Sequence, residues 1–174
     1  ILKKTDLEQS RRWNIIKALS RMKTPEIFTL IQSERQRDPS SFGEVEAFAA
    51  EVAFPAVEQK RVAWRALSNP DLNVSMAKRK AGGPLFHQAD HPELSEIFIE
   101  PFFQFMQTAD WSQVWFMRGA FASLFPSLLC SNEFLVKSQD FLNRSSVPPV
   151  GKRAWLEANE ELEKCVKIRR FNGY

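Results

Sequence analysis

The chain has 174 residues, of which 44% are apolar and 26% are charged. This length fits one domain with a substantial core, and the composition excludes an intrinsically disordered chain. Lysine and arginine together exceed aspartate and glutamate by three, with both signs scattered along the sequence, so the charge predicts no nucleic-acid partner. The longest apolar runs fall well short of the roughly 20 residues that cross a bilayer, so no membrane partner is expected.

Residues that start or end helices are the main structural signal in the sequence. The chain contains ten prolines, only six glycines and no convincing alternating strand, which favours an all-α fold over a turn-rich β protein. Fifteen phenylalanines and five tryptophans accompany a single tyrosine. Because most of these large rings have no hydroxyl to hydrate, we expect extensive contact between helices.

The first predicted helix runs from about Thr5 to Met22. After it, Thr24 is suited to cap the exposed amides of a second helix, and Pro25 fits the first helical position. Glu26 would then face the positive end of the helix dipole. Asp38-Pro39 ends this second helix, because the residue before a proline avoids the helical region.

The stretch EVAFPAVEQKRVAWRAL, residues 51–67, predicts a helical hairpin with almost no loop. Ser40 or Ser41 caps its first helix. Pro55 ends that helix, because a proline cannot continue the hydrogen-bond ladder but can begin a new one. Further helices are predicted from Asp71 to about Lys80, after Pro92, from Asp110, from Ser131 and after Pro148-Pro149, with a loop from Leu85 to Asp90.

Alternate helices start near residues 5, 41, 71, 111 and 149. This spacing of about 30–40 residues lies slightly below the ~40–47 of HEAT and armadillo repeats. The regularity predicts a single helical-repeat domain over residues 1–174, with antiparallel helix pairs stacked into a HEAT/armadillo-like right-handed solenoid. The chain begins at Ile1 rather than methionine, so we expect it to be a fragment of a larger protein.

Few residues suit catalysis or metal binding. His87 and His91 have the i, i+4 spacing of a zinc helix, but Gln88 stands where that motif needs glutamate, so a surface loop is favoured over a metal hydrolase. Cys130 and Cys165 lie in apolar helical patterns without metal-ligand spacing. We expect these two to be buried free thiols rather than a disulfide. No catalytic, cofactor-binding or metal-binding residue is assigned in this chain.

Two cations lie unexpectedly on apolar stripes. Lys60 shares a helix face with Ala63 and Trp64, and Arg118 lies beside Trp115 on a similar stripe. One interpretation is that their aliphatic stems cover apolar surface while the charged ends reach water or a carboxylate. The other is that both project from the concave wall of the solenoid, where a positive group attracts a peptide carboxylate.

Four segments, taken in order, resemble the C-terminal helical domain of M1-family zinc aminopeptidases, most of all bacterial aminopeptidase N enzymes of the actinobacterial type. They are RRWNIIKAL, DPSSFGEVEAFAAEVAFPAVEQKRVAWRAL, PLFHQADHPELSEIFIEPFFQFM and VWFMRGAFASLFPSLL, which cover nearly the whole chain. Each motif is weak alone, and the order and spacing carry the resemblance. The matching positions are Arg12-Trp13, Asp38 to Ser40, Pro55 with Lys60 and Trp64, and Trp115 and Arg118 with Phe125-Pro126.

The resemblance implies that the intact enzyme removes N-terminal amino acids from peptides with zinc. Its HExxH helix, later glutamate ligand and GxMEN loop would lie in upstream domains, so this chain alone would be inactive and hold no cofactor. The helical domain would wall the substrate chamber and influence peptide access and length selection, with Lys60 and Arg118 as candidate wall residues.

The implied partners are the upstream catalytic domains of the same polypeptide and peptide substrates, and the expected location is cytoplasmic. The alternative is an independent helical-repeat adaptor that binds a protein segment in its groove.

Overall fold

The computed structural model describes residues 7–145 and 147–171, and these ranges contain helices and loops but no strand. The predicted all-α class is therefore confirmed. The helices are α1 (Gln9–Arg21), α2 (Ile27–Arg37), α3 (Ser41–Ala53), α4 (Val57–Ser68), α5 (Met76–Gly82), α6 (Pro92–Glu96), α7 (Ile99–Thr108), α8 (Val114–Leu124), α9 (Asn132–Arg144) and α10 (Pro149–Phe171). Short 3₁₀ turns cover Gly83–Leu85 and Ser127–Leu129.

The chain divides into two compact units at the boundary between Phe86 and His87. The first unit contains α1 to α5 and the second contains α6 to α10. The expectation of one domain over residues 1–174 stays a prediction, as does the solenoid arrangement of the helices. In the described part of the chain, no helix combines the length and the apolar composition needed to cross a membrane.

The central helix of the first unit is α3, which packs against α1, α2, α4 and α5. Most of its buried positions are alanines, whose small side chains let neighbouring helices approach closely. Removing one isoleucine side chain from water contributes roughly 1.5–3 kcal/mol, so a small apolar cluster is enough to hold these helices together. That cluster consists of Trp13, Ile16, Ile27, Ile31, Ala47 and Ala50.

The junction between α1 and α2 differs from its predicted form. The amide of Thr24 donates to the carbonyl of Leu19 at 3.1 Å, and that of Lys23 donates to Ser20 at 2.9 Å. With Lys23 in the left-handed region at φ 54°, these bonds close α1 as a Schellman motif. Helix α2 begins at Ile27, so the predicted cap at Thr24 and the predicted first helical position of Pro25 are both wrong. Helix α2 begins after Glu26, whose φ is 61° and whose side chain makes no capping bond.

The predicted boundaries around α3 are confirmed. The hydroxyl oxygen of Ser40 accepts from the amide of Gly43 at 3.1 Å, as a side-chain cap should. Helix α3 ends at Ala53 and α4 begins at Val57, so only the short segment around Pro55 separates them. The hairpin with almost no loop is therefore present.

Two helices begin later than predicted, because polar side chains first stabilise turns. The amide of Asp71 donates to Oδ1 of Asn69 at 2.9 Å, and α5 begins only after Ser75, which caps it. Likewise, Oδ1 of Asp110 accepts from the amide of Ser112 at 2.9 Å, and α8 starts two residues further on. The side chains of Asn69 and Asp110 therefore stabilise turns, and neither Asp71 nor Asp110 caps a helix.

Aromatic rings form the core of the second unit. The indole of Trp155 is fully buried and donates to the hydroxyl of Ser138 at 2.8 Å, which in turn donates to Asn159 at 2.6 Å. These bonds satisfy the polar atoms that accompany the rings into the core. The ring contacts of this core join Phe102, Phe103, Phe121, Phe125, Phe134, Phe141 and Trp155.

A disulfide between Cys130 and Cys165 corrects the expectation of free thiols. Cys130 follows the second 3₁₀ turn in a left-handed conformation at φ 46°, so it belongs to a loop and not to an apolar helix. That turn places its Cα 5.4 Å from the Cα of Cys165 on α10, within the range that a disulfide spans. The sequence separation of 35 residues gives no sign of this proximity.

Candidate functional site

Lys60 lies inside the first unit. Its side chain is 1% exposed, and Nζ donates to the carbonyl oxygens of Val52 at 2.7 Å and Leu85 at 3.0 Å. The ring centroid of Phe86 lies 5.5 Å from the same nitrogen. Lys60 therefore links α4 to the last turn of α3 and to the end of the first 3₁₀ turn.

The surroundings of Lys60 disfavour its charged form. Burial, with a smaller contribution from the positive charge of Arg21, lowers the pKa of Lys60 to about 7. A neutral amine has two N–H donors, which match the two carbonyls that it contacts. The ammonium of Lys60 thus faces backbone oxygens and not solvent, and its role in a substrate-chamber wall stays a prediction.

Arg118 belongs to the second unit and lies on the exposed face of α8. Trp115, one turn earlier, is 80% exposed, and Ala122, one turn later, is also exposed. Phe121, three residues after Arg118, is buried. No carboxylate oxygen among the described residues lies within 4.0 Å of the Arg118 guanidinium. Its predicted place on a chamber wall is untested.

The two histidines differ in burial. His87 is buried, with Nε2 3.0 Å from the carbonyl of Leu124 and Nδ1 2.9 Å from the hydroxyl of Ser95. A carbonyl only accepts, so Nε2 carries a proton and donates it to Leu124. The predicted surface loop is therefore wrong for His87. His91 is partly exposed, and its Nδ1 lies 3.2 Å from Glu93.

No metal-binding cluster is present in the described ranges: no three His, Cys, Asp or Glu side chains there are arranged to hold an ion. The residues with buried polar contacts form pairs and short chains of hydrogen bonds, which are suited to fixing a fold.

A groove between α7 and α9 is a further candidate site that the sequence did not reveal. This α7–α9 groove lies within the second unit and has a volume of about 850 Å³, which is within the usual range for ligand sites. Its apolar lining includes Phe103, Met106, Phe141 and Trp111. The ring centroids of Phe103 and Phe141 lie 5.0 Å apart. Its lining offers apolar rings together with polar and charged side chains.

A buried ion pair in the first unit was also missed by the sequence. Arg12 donates to both carboxylate oxygens of Glu34, and both side chains are buried. The hydrogen bond from Arg12 holds the pKa of Glu34 below its ordinary value, despite an opposing effect of burial. Next to this pair, the indole of Trp13 donates to Asp38 at 2.9 Å, and the hydroxyl of Ser40 lowers the pKa of that carboxyl.

Neither a protein-family model nor a curated protein matches the chain. The interpretation of the site therefore depends on its residues and their contacts.

Proposed function

We propose that the chain is a noncatalytic C-terminal helical domain of an M1-type zinc aminopeptidase, an enzyme that removes N-terminal amino acids from peptides. In this proposal its helices stack as antiparallel pairs into a HEAT/armadillo-like right-handed solenoid that walls the substrate chamber. The wall influences peptide access and length selection, while the bond is cleaved in upstream domains of the same polypeptide. The chain alone is then inactive.

One observation supports the proposal most: several residues that carry the resemblance also make polar contacts that fix the fold. Trp13 donates to Asp38, Ser40 caps α3, and Lys60 donates to two backbone carbonyls. Polar groups whose hydrogen bonds are all made within the protein favour one packing of the helices over others. The order of such residues along the sequence is therefore characteristic of a fold. Such a signature suits a domain that encloses substrate and leaves the chemistry to another domain.

In this proposal the zinc of the enzyme is bound by the upstream domains and not by this chain. Bound zinc lowers the pKa of a coordinated water and so supplies a nucleophile near neutral pH. We assign its ligands to a HExxH helix and a later glutamate outside this chain, and none to the residues of this chain.

The two candidate wall residues differ in how well they suit contact with a peptide. Arg118 presents an exposed guanidinium, a group that binds carboxylates through two parallel hydrogen bonds. The Lys60 amine already donates to Val52 and Leu85. The proposal therefore depends more on Arg118 than on Lys60 for direct contact with a peptide.

The test compares the 174-residue chain with the polypeptide encoded by its complete reading frame. The reading frame should encode a HExxH helix upstream of Ile1. The complete polypeptide should hydrolyse peptides with a free N-terminus, and a chelator should abolish the hydrolysis. The short chain should show no activity in the same assay. Chelator-sensitive hydrolysis by the short chain, or a reading frame without the zinc helix, would contradict the proposal.

An independent adaptor is the second candidate, and the exposure of Trp115 beside Arg118 favours it. Tryptophan and arginine are the residue types most enriched at the energetic centres of protein interfaces. A complete reading frame that encodes no zinc helix, together with loss of a partner's binding in a Trp115→Ala variant, would support the adaptor over the aminopeptidase domain.

A further inference from the structure

Two stretches of the sequence have the acceptor pattern for an N-linked glycan. In this pattern an asparagine is followed two residues later by serine or threonine, and the residue between them is not proline. The stretches are Asn73-Val74-Ser75 and Asn143-Arg144-Ser145. Because so short a pattern also arises by chance, it predicts a modification only where the fold and the cellular compartment allow one.

The first pattern lies in the loop between α4 and α5. Residues 73–75 belong to no helix, and both Asn73 and Ser75 are exposed. In the described part of the chain, the side-chain amide of Asn73 makes no hydrogen bond. A glycan on this nitrogen would therefore displace no contact of the fold, as a bulky surface modification requires.

The conformation of this loop depends on other groups. Ser75 caps α5, since its hydroxyl oxygen accepts from the amide of Lys78 at 3.2 Å. Arg79 is buried, and its guanidinium donates to the backbone carbonyls of Ala66, Leu67, Asn69, Leu72 and Val74. These bonds fix the loop from its inner side. The side chain of Asn73 is therefore free to carry a substituent.

The second pattern lies in a less suitable place. Asn143 belongs to the last turn of α9, and the Oγ atom of Ser145 is inaccessible to solvent. The hydroxyl at this position is part of what the glycan-attaching enzyme recognises. Once the second unit has folded, that hydroxyl is hidden, whereas Ser75 stays exposed. Folding should thus remove the second acceptor and leave the first.

The disulfide is separate evidence about the compartment. A bridge between Cys130 and Cys165 fits an oxidising environment, such as the one through which exported polypeptides pass. N-linked glycans are typical of secreted proteins. A bridge in the second unit and an exposed acceptor in the first therefore indicate the same compartment.

Apolar side chains flank the acceptor along the chain. Leu72 precedes Asn73 and is 43% exposed, and Met76 follows it and is 40% exposed. A glycan is bulky and strongly hydrated, so one attached at Asn73 would shield these side chains from other molecules. The modification would then make this end of the first unit more soluble.

We propose that Asn73 carries an N-linked glycan on the exported chain. The donor is an oligosaccharide joined to a lipid through a diphosphate. A bond forms between the amide nitrogen of Asn73 and the anomeric carbon of the first sugar, while the bond from that carbon to the diphosphate oxygen breaks. The oxygen keeps the electron pair, the nitrogen releases one proton, and nothing is oxidised or reduced.

The first experiment uses the protein from its native cell. An N-glycosidase that converts a glycan-bearing asparagine to aspartate is applied, and peptide mass spectrometry then reads positions 73 and 143. Conversion is expected at position 73 in the treated sample and not in an untreated one. The proposal is overturned if position 73 is still asparagine after treatment, or if a larger fraction is converted at position 143.

Variants identify the acceptor in the complete 174-residue chain, exported from a eukaryotic cell behind a cleavable leader. Asn73→Gln should remove the mass of the glycan, whereas the matched control Asn143→Gln should retain it. Ser75→Thr keeps both the hydroxyl and the cap of α5, so it should also retain the glycan. A glycan that persists in Asn73→Gln would contradict the assignment.

A folding control separates loss of the acceptor from loss of structure. In chains produced without glycan, Asn73→Gln should unfold at the same temperature as the original, because the exposed amide makes no hydrogen bond in the described part of the chain. A lowered midpoint would show that Asn73 is needed for the fold, which would contradict its role as a free acceptor.

This modification site goes beyond the aminopeptidase proposal and does not rest on it. An unmodified Asn73 leaves the predicted zinc helix upstream untouched, and a reading frame without that helix leaves the acceptor untouched.

Discussion

At the scale of single residues, Lys60 shows how burial changes the chemistry of a side chain. A lysine whose nitrogen contacts only carbonyl oxygens and a ring has no carboxylate to favour its charge. Its pKa falls to about 7, while the pKa of an unfolded lysine is about 10.4. Between these values the unfolded chain holds a proton that the folded chain has released.

The stability of the first unit should therefore rise with pH. Lys60 opposes folding fully below its folded pKa of about 7. This opposition is relieved as the pH rises towards the unfolded value, by at most about 1.4 kcal/mol for each pH unit. In urea unfolding from pH 6.5 to 9.5, Lys60→Met should flatten the rise in the free energy of unfolding. Lys80→Met, at an exposed position of α5, should leave the slope unchanged. Equal slopes in all three proteins would contradict the depressed pKa.

At the scale of helices, two glycines should respond oppositely to alanine. A Cβ added at Gly119 in α8 meets no atom within 4 Å, so Gly119→Ala should gain about 0.5–1 kcal/mol of stability from better helix propensity. A Cβ added at Gly82 in α5 comes within 2.7 Å of the Phe48 ring, so Gly82→Ala should destabilise the first unit by forcing α5 away from α3. Thermal unfolding of the two variants measures the sign of each stability change. If both unfolding midpoints shifted in the same direction, the packing argument would be refuted.

Some helix boundaries could be predicted from the residues at the boundary itself. Others were determined by hydrogen bonds to a neighbouring helix or turn. Ser40 acts through its hydroxyl on an amide three residues later and Pro55 through its ring, so their roles could be inferred from a few neighbouring residues. Thr24 has the right chemistry for a cap, but its amide closes α1 instead. Asp71 similarly forms a turn with Asn69 before α5 can begin. Sequence patterns do not reveal which of two adjacent helices will use such a residue.

The candidate sites were harder to predict than the helices. The exposure of Arg118 is compatible with both interpretations of its stripe, since each places the charged end at an accessible surface. The charged end of Lys60 reaches neither water nor a carboxylate, because its amine donates to backbone carbonyls that the sequence cannot reveal as neighbours. The α7–α9 groove depends on the side-chain volumes of two helices about 30 residues apart. Such a space is a property of packing, and no single periodic pattern encodes it.

At the scale of the whole molecule, the two units differ in what holds them together. In the first, an alanine-rich helix allows its neighbours to approach closely, and Arg12 with Glu34 adds a buried ion pair. In the second, a cluster of aromatic rings surrounds Trp155, and a covalent bond joins a loop to α10. The second unit should therefore be the more sensitive to reducing agents.

Opening the disulfide should destabilise the second unit by about 3–4 kcal/mol, as expected for releasing a closed loop of this length from the unfolded chain. Urea unfolding with and without reductant measures this difference. The double variant Cys130→Ser, Cys165→Ser should unfold like the reduced chain and be indifferent to reductant. Hydrogen exchange should also increase near Arg169, which donates to the carbonyl of Leu129 beside the bond. An unchanged midpoint on reduction would contradict a stabilising role.

The disulfide bond also depends on the redox state of the cellular compartment in which the chain folds. Glutathione and thioredoxin keep cytosolic thiols reduced, whereas exported polypeptides retain their sulfur bridges. A bridged Cys130–Cys165 pair thus fits an exported polypeptide, while the expected cytoplasmic location fits the open form. If the chain is trapped with an alkylating agent as its native cell is broken open, intact mass spectrometry tells the two apart. The bridged form is lighter by two hydrogen atoms and takes up no label, so the weight of the molecule reports the compartment in which it matured.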